Sequence, residues 1–204
     1  MFALVDKSDN SITKMLNGNK GITIGDNQYP RAIFTLWTEA ERNAINIYTV
    51  TIDTSKRKDE QWYINTDITY SFDGTNATGS YGDATAKAHA DANATDDDGV
   101  DLDPVIVIEG LKTKLIKAVK SNAASELAKT DWYITRKTEK NTAIPSAVTT
   151  HRDAVRSKQA AMETAITNAS DTPALETLYT YVNTADEGDP VVSERPLGEL
   201  PILE

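Results

Sequence analysis

The chain has 204 residues and a mass of 22.3 kDa, which is enough for one ordinary domain or two small ones. Its net charge is −10 and its pI is near 4.7, which argues against a nucleic acid or an anionic membrane surface as the main partner. It has no cysteine and only two histidines, so disulfides and cysteine nucleophiles are excluded and little is left for zinc binding.

The chain also has no signature of membrane insertion. No apolar run approaches the roughly 20 residues that a bilayer-spanning helix needs. The apolar start, residues 1–5, meets Asp6 at once, and we therefore expect no signal peptide. The composition predicts a soluble protein that is made in a cytoplasm.

The first third of the chain is predicted to be rich in strands. Residues 2–5 and 12–16 flank a polar turn, as the strands of a hairpin do. Residues 22–24 form a short β-branched run that ends at a Gly-Asp-Asn turn. Residues 48–52 alternate between apolar and polar side chains, and residues 62–72 do so in part before an Asp-Gly turn leads to a second strand ending near residue 82.

A short helix interrupts these strands. Thr38 followed by Glu41 fits a capping box, in which the two residues satisfy each other's backbone N–H groups at a helix start. The predicted helix covers two turns at most. Trp37 and Trp62 are expected to belong to the core of this region, since large aromatic side chains favour burial.

An acidic segment follows, and its aspartates invite a comparison with a calcium-binding loop. If Gly99 is the glycine at the sixth loop position, Asp96 and Asp98 occupy the third and fifth positions correctly. Ala94 and Val105 then occupy the first and twelfth positions, where the loop needs carboxylates. We therefore interpret this segment as a solvated acidic linker.

The rest of the chain is predicted to be helical. A first helix over residues 105–129 has apolar residues on one face: Ile108, Leu111, Leu115, Val119 and Leu127. Residues 131–134 break its pattern, and residues 140–145 form a loop that ends in a proline. A second helix begins near Ser146 with an apolar seam that repeats every seven residues, at Val148, Val155, Met162 and Ala169.

A third helix begins at Asp171, a capping residue, with Pro173 at its first position. Three prolines in the last 15 residues then predict an extended tail with an apolar end. We expect this tail to leave its own domain and to dock on another protein through four aliphatic side chains: Leu197, Leu200, Ile202 and Leu203.

Charge changes sign along the chain at the same boundaries. Residues 1–82 sum to −2, residues 83–103 to −6, residues 104–170 to +5 and residues 171–204 to −7. The predicted class is α+β. The predicted parts are a small β-rich domain over 1–82, an acidic linker over 83–103, a helical domain over 104–185 and an extended, proline-containing tail over 186–204.

No pattern of residues indicates an enzyme. The sequence has no phosphate-binding glycine motif, no nucleophile elbow and no zinc-protease helix. His151 has Arg152 and Arg156 as neighbours, which disfavour a cationic imidazole, and we interpret it as a polar residue on the flank of a helix. His89 lies in the linker without a second ligand nearby in sequence. We expect no enzymatic activity, no cofactor and no metal.

Two short patches resemble a known group of proteins. Residues 127–132, Leu-Ala-Lys-Thr-Asp-Trp, are followed by Ile-Pro-Ser at 144–146 and by His-Arg-Asp-Ala-Val-Arg at 151–156. With residues 36–42, Leu-Trp-Thr-Glu-Ala-Glu-Arg, these patches resemble the tail assembly chaperones and tail-fibre assembly proteins of bacteriophages. His151 stands where these families usually have an aromatic residue.

The resemblance implies a non-enzymatic protein of a phage tail or tail fibre, located in the virion tail or in the host cytoplasm during assembly. Its partners would be other tail or tail-fibre proteins, or further copies of the chain, and neither a nucleic acid nor a membrane. The alternative is a structural subunit of the virion that is unrelated to assembly chaperones.

Trp132, Arg152 and Arg156 carry two interpretations that the sequence leaves open. Trp132 can pack on the start of the second helix and pin the loop between the helices. The two arginines lie four residues apart on one helical face, where they can bind backbone carbonyls or a carboxylate of a partner. We therefore take all three as candidate partner-binding residues.

Overall fold

The chain forms two compact units, residues 1–85 and residues 86–204, in a computed structural model that describes residues 1–187 and 189–203. The class is α+β, as predicted, with most strands in the first unit and the long helices in the second. We describe each unit by itself.

The N-terminal unit is built on a five-stranded sheet. Its strand order is β2-β1-β5-β8-β7, with β5 and β8 parallel and every other neighbouring pair antiparallel. The predicted N-terminal hairpin is confirmed as β1 and β2. The strands are β1 (Phe2–Asp6), β2 (Ser11–Leu16), β3 (Ile22–Ile24), β4 (Asn27–Tyr29), β5 (Ile47–Asp53), β6 (Tyr63–Ile64), β7 (Thr69–Phe72), β8 (Ala77–Ser80) and, at the boundary of the unit, β9 (Thr85–Ala86).

Both faces of this sheet carry buried side chains, because successive side chains of a strand point to opposite faces. One face carries a buried cluster in which the rings of Tyr48 and Phe72 lie 4.6 Å apart. The other packs against the β3–β4 hairpin and the short helix α1 (Ile33–Leu36). The first cluster consists of Ala3, Val5, Tyr48, Val50, Phe72 and Ala77, and the second of Ile22, Ile33, Phe34 and Ile47.

The predicted capping box is present at the start of helix α2 (Glu39–Ala44). The Thr38 hydroxyl accepts a hydrogen bond from the Glu41 N–H, and the Glu41 carboxylate accepts one from the Thr38 N–H at 2.7 Å. Trp62 is buried, as expected. Trp37 is half-buried beside the ring of Tyr29, at the edge of the second cluster.

The turn between β7 and β8 depends on one carboxylate. Asp73 accepts hydrogen bonds from the backbone N–H groups of Asn76 at 2.7 Å and Thr75 at 2.8 Å. These bonds hold the pKa of Asp73 below its ordinary value of 3.8, because they favour the ionised form.

The lowered pKa predicts an acid-sensitive turn. The carboxylate is preferred in the folded chain, so its contribution to stability is present above about pH 4 and is lost as the pH falls through the folded-state pKa. Asp73→Asn removes this titration. The fall in the free energy of unfolding between about pH 5 and pH 2 should therefore be shallower in the variant than in the wild type, measured by urea unfolding at each pH. Parallel profiles would contradict the assignment.

Gly79 of β8 is a site of close approach. A Cβ atom there would lie 2.8 Å from Ile52 Cδ1, 2.8 Å from Tyr70 Cε1 and 2.9 Å from Ile68 Cγ2. Three side chains thus close over the glycine, and each of them would have to move to make room for a Cβ atom.

Gly79→Ala should destabilise the chain by about 1–3 kcal/mol, the usual cost of overpacking a well-filled site. The matched control is Ser80→Ala, at the next position of the same strand. The measurement is thermal or denaturant unfolding followed by circular dichroism. A cost no greater than that of Ser80→Ala would show that the three side chains move aside freely.

The C-terminal unit is a helical assembly with short two-stranded sheets. Helix α3 packs against α5, which also contacts α6. One of these two-stranded sheets pairs β10 with β11, and another pairs β12 with β13. The elements are β10 (Ala92–Asn93), β11 (Val107–Ile108), α3 (Leu111–Ala128), α4 (Asp131–Lys140), α5 (Ser146–Asn168), α6 (Thr172–Tyr179), β12 (Val182–Asn183) and β13 (Ser193–Glu194).

The predicted heptad seam of the second helix lies in the core of this unit, and all four of its residues are buried. They share this core with Val119 and Ala123 of α3 and with Leu175 of α6. Asp171 caps α6 by accepting a hydrogen bond from the Ala174 N–H, as expected, although Pro173 occupies the second helical position instead of the first.

Residues 83–103, predicted to be a solvated acidic linker, are mostly exposed, and hydrogen bonds attach part of the segment to the helical unit. The Lys87 carbonyl accepts a hydrogen bond from the buried Thr172 hydroxyl of α6. Asp91 accepts hydrogen bonds from the Gly110 N–H at 2.8 Å and from the Thr113 hydroxyl at 2.9 Å, so it fixes the chain to the start of α3. The remainder forms the first strand and the tip of a hairpin.

Two helix boundaries also differ from the prediction. The returning strand of that hairpin, Val107–Ile108, takes the place of the predicted helix start, and α3 begins only at Leu111, after Gly110. Residues 131–134 do not interrupt the helical region, because α4 continues it after a single turn at Lys129 and Thr130.

Candidate interaction surface

Helix α4, although it has ten residues, has no buried residue, a feature that it shares with the shorter helix α2. It follows α3 directly and carries two large apolar side chains on its outside, Trp132 at 51% exposure and Ile134 at 42%. Large aromatic side chains normally contribute to a core. A helix that places a tryptophan outside is a candidate for contact with another protein.

The position of α4 is fixed by Arg152, a buried residue of α5. Its guanidinium Nη1 donates hydrogen bonds to the Leu127 carbonyl at 2.8 Å, the Thr130 hydroxyl at 2.7 Å and the Asp131 carboxylate at 2.9 Å. The Leu127 carbonyl belongs to the last turn of α3, where carbonyls lack helical partners and a cation is favoured. Arg152 therefore joins the end of α3, the start of α4 and the body of α5.

Trp132, Tyr133 and Arg136 form a stacked group on α4. The two aromatic ring centroids lie 3.8 Å apart with an angle of 31° between the rings. The Arg136 guanidinium lies 4.7 Å from the Trp132 ring centroid and 5.3 Å from that of Tyr133, which is cation–π geometry. The stack restricts three long side chains before any partner arrives, which lowers the entropy cost of binding.

The surroundings of this stack are basic. Lys129, Lys137 and Lys140 are exposed, whereas the whole segment 129–140 has only two acidic residues, Asp131 and Glu139. Asp131 is already engaged by Arg152. We call the group of Trp132, Tyr133, Ile134, Arg136 and Lys137 the α4 surface; within it Tyr133 and Arg136 are half-buried, and the other three are exposed.

A small polar cluster links the end of α3 to α5, with His151 and Glu126 buried and Lys129 exposed. His151 Nε2 is 3.4 Å from the carboxylate of Glu126, and Lys129 also pairs with this carboxylate. The Lys129 hydrogen bond is the main reason why the pKa of Glu126 is lower than its ordinary value, with the charge of Lys129 and a backbone hydrogen bond from Leu203 in support. His151 is thus a buried residue of the α3–α5 contact and does not lie on an exposed flank.

The structure separates the predicted partner-binding residues of the helical region. Trp132 is half exposed and stacks on Tyr133 of its own helix. Arg152 is buried and binds backbone and side-chain oxygens of its own chain. Arg156 is exposed and pairs with Asp153 on the same helix at 3.1 Å. Only Trp132 lies on the α4 surface.

The prediction that the tail leaves its own domain is wrong for Leu197. This side chain is buried, and its N–H donates to the Leu178 carbonyl of α6 at 3.0 Å. Arg195 lies over the rings of Tyr179 and Tyr181, so the returning chain is also held by cation–π contacts. Burial of Leu197 and the pairing of β12 with β13 therefore keep this proline-containing segment on its own unit.

The other tail residues are less buried. Leu200 is half-buried, while Ile202 and Leu203 are exposed. Gly188 and Glu204 of the predicted tail lie outside the described residues. The apolar end is therefore partly buried in its own unit, and its four aliphatic side chains do not form one free segment.

Sequence reasoning missed Tyr133 and Arg136 as members of the site. Arg136 lies four residues after Trp132 and three after Tyr133, and these spacings bring side chains together on one side of a helix. The sequence hides this signal because the break in apolar pattern at residues 131–134 suggests the end of a helix.

Among the described residues, no group of three or more histidine, aspartate or glutamate side chains is arranged to hold a metal ion. In the same part of the chain, no helix combines the length and the apolar character required to cross a bilayer. Comparison with family models, with curated proteins and with solved structures yields no match to the chain.

The anchor role of Arg152 predicts a large difference between two arginines of one helix. Arg152→Ala should lower the free energy of unfolding by about 2–3 kcal/mol, because it leaves the Leu127 carbonyl and the Thr130 hydroxyl without this donor. Arg156→Ala, the matched control, should cost less than about 0.5 kcal/mol. The measurement is denaturant unfolding followed by the helical circular dichroism signal, and equal effects would rule out the anchor.

Proposed function

We propose that the chain is a non-enzymatic protein of a bacteriophage tail or tail fibre, an accessory or assembly component that acts through protein–protein contacts. The α4 surface is its contact site. The proposal joins the family resemblance of residues 127–156 to the geometry of that segment: the resembling residues include Trp132, which is exposed, and Arg152, which holds the helix that carries it.

The observation that carries the proposal is the stack of the exposed Trp132 on the half-buried Tyr133 and Arg136. Tryptophan, tyrosine and arginine are the residue types that contribute most to binding energy at protein interfaces. The basic rim of the surface, Lys137 and Lys140, favours a partner that offers acidic side chains around an apolar centre.

A structural subunit that is retained in the virion is the second candidate. It is favoured by the exposed aliphatic run of residues 105–108, because an apolar surface of this kind is usually covered permanently in a stable assembly. Mass spectrometry of purified particles separates the two candidates: a retained subunit occurs at a fixed copy number, and a transient assembly factor is absent.

The contact role of α4 predicts a loss of assembly without a loss of folding. In infections complemented with Trp132→Ala, the yield of particles with complete tails should fall by about tenfold or more, the usual effect of removing an aromatic hot spot. The unfolding temperature should stay close to that of the wild type, because the side chain is half exposed.

The matched control is Leu36→Ala, which truncates another exposed apolar side chain of the N-terminal unit. It should leave particle yield unchanged. Normal assembly with Trp132→Ala would contradict the proposed contact, and equal defects in both variants would show that the effect is not specific to α4.

A further inference from the structure

A β-hairpin of residues 92–108, here named the β-ribbon, carries an exposed aliphatic run. The run consists of Val105, Ile106, Val107 and Ile108, each 54–59% exposed. Consecutive residues of a strand point to opposite faces, so both faces of β11 are apolar. Strands of this composition usually lie inside a sheet and not at its edge.

The edge of β11 is short and its apolar run is flanked by Pro104 and Glu109, but the run itself carries no protecting residue. The sheet contains two strands, β10 and β11. Natural edge strands are commonly protected by charged side chains, by prolines or by a covering element. No charge or proline occurs between Val105 and Ile108, so the edge offers its backbone groups to another strand.

The ladder determines which backbone groups face outward. Ala94 donates its N–H to the Ile106 carbonyl at 2.7 Å, and Ala92 is paired with Ile108. In an antiparallel pair, alternate residues turn their N–H and C=O toward the partner strand. The backbone carbonyl of Ile106 and the backbone groups of Ile108 therefore point toward β10. The backbone N–H and C=O of Val107 point away from it.

The same strand of a second copy fits this edge. The sequence Ile-Val-Ile reads identically in both directions about Val107. Antiparallel pairing of Val107 with the same residue of another copy exchanges two backbone hydrogen bonds at a two-fold axis. On one face this pairing places Ile106 of each copy beside Ile108 of the other, and pairs of β-branched side chains across strands are favourable.

Charge supports the same arrangement. The tip of the β-ribbon is acidic, with five aspartates between residues 96 and 103. Its base adjoins the start of α3, where Lys114 and Lys117 lie close enough to act on Asp91. Antiparallel pairing brings the acidic tip of one ribbon to the lysine-bearing base of the other, twice per dimer.

We propose that the chain forms a two-fold symmetric homodimer in which the β11 strands of two copies pair about Val107 to give a four-stranded sheet, β10-β11-β11-β10. The pairing covers the aliphatic run and satisfies the outward backbone groups. It does not involve the α4 surface, so it holds or fails independently of the contact role proposed for α4.

The first test is the oligomeric state of the full chain between about 1 and 100 μM, the range in which modest interfaces dissociate. Sedimentation equilibrium of the wild type should show a monomer–dimer equilibrium. Val107→Lys places a charge at the two-fold axis and should raise the dissociation constant by about tenfold or more. Val191→Lys, at an exposed valine outside the ribbon, should leave it unchanged.

The second test fixes the register. The wild type has no cysteine, so Val107→Cys introduces a single thiol. Facing residues of a hydrogen-bonded antiparallel pair have Cα atoms about 5.5 Å apart, within disulfide range. Mild oxidation should therefore give a rapid covalent dimer of this variant, and a much slower one of Val191→Cys.

The charge argument is tested by Lys114→Glu, which should weaken the dimer, against Lys137→Glu on α4, which should not. Circular dichroism and the unfolding temperature verify that each variant is folded. Any of three results would overturn the proposal: a wild type that remains monomeric at about 100 μM, a dimer that survives Val107→Lys, or equal crosslinking of the two cysteine variants. A monomeric wild type would leave the edge to a strand of a different protein.

Discussion

The hydrogen bonds of the Arg152 guanidinium organise the helical unit. A cation inside a protein is costly unless it is fully engaged, and here its acceptors come from the end of α3 and the start of α4. Without this donor, the Leu127 carbonyl would keep only its bonds from Lys129 and Thr130, and the first turn of α4 would lose its tie to α5 through Asp131. A helix without buried residues can keep a defined position because its first turn, and not its length, is anchored.

The features that could be predicted from the sequence are those that depend on neighbours in the chain. The capping box of Thr38 and Glu41 requires only four consecutive residues to meet. The seam that includes Val155 and Met162 follows from helical periodicity, which is independent of what packs against it. The N-terminal hairpin was recognised because its turn is short and both strands alternate.

The features that could not be predicted depend on contacts between distant parts of the chain. Arg152 is as polar as Arg156 and lies on the same helix, and only the arrival of the α3 terminus distinguishes them. The burial of Leu197 depends on α6 in the same way. The run before Gly110 was assigned to a helix because four consecutive apolar residues fit a buried helix and a strand equally well.

The three tryptophans occupy three different environments, and this gives the molecule a built-in optical probe. Trp62 is enclosed, Trp37 is half enclosed and Trp132 is open to water beside a guanidinium. Iodide, an anionic quencher of indole fluorescence, is drawn toward Lys137 and Lys140 and reaches Trp132 first. The quenchable, red-shifted part of the emission thus belongs mainly to one side chain, and its loss on mixing with another protein would show that this indole has become covered.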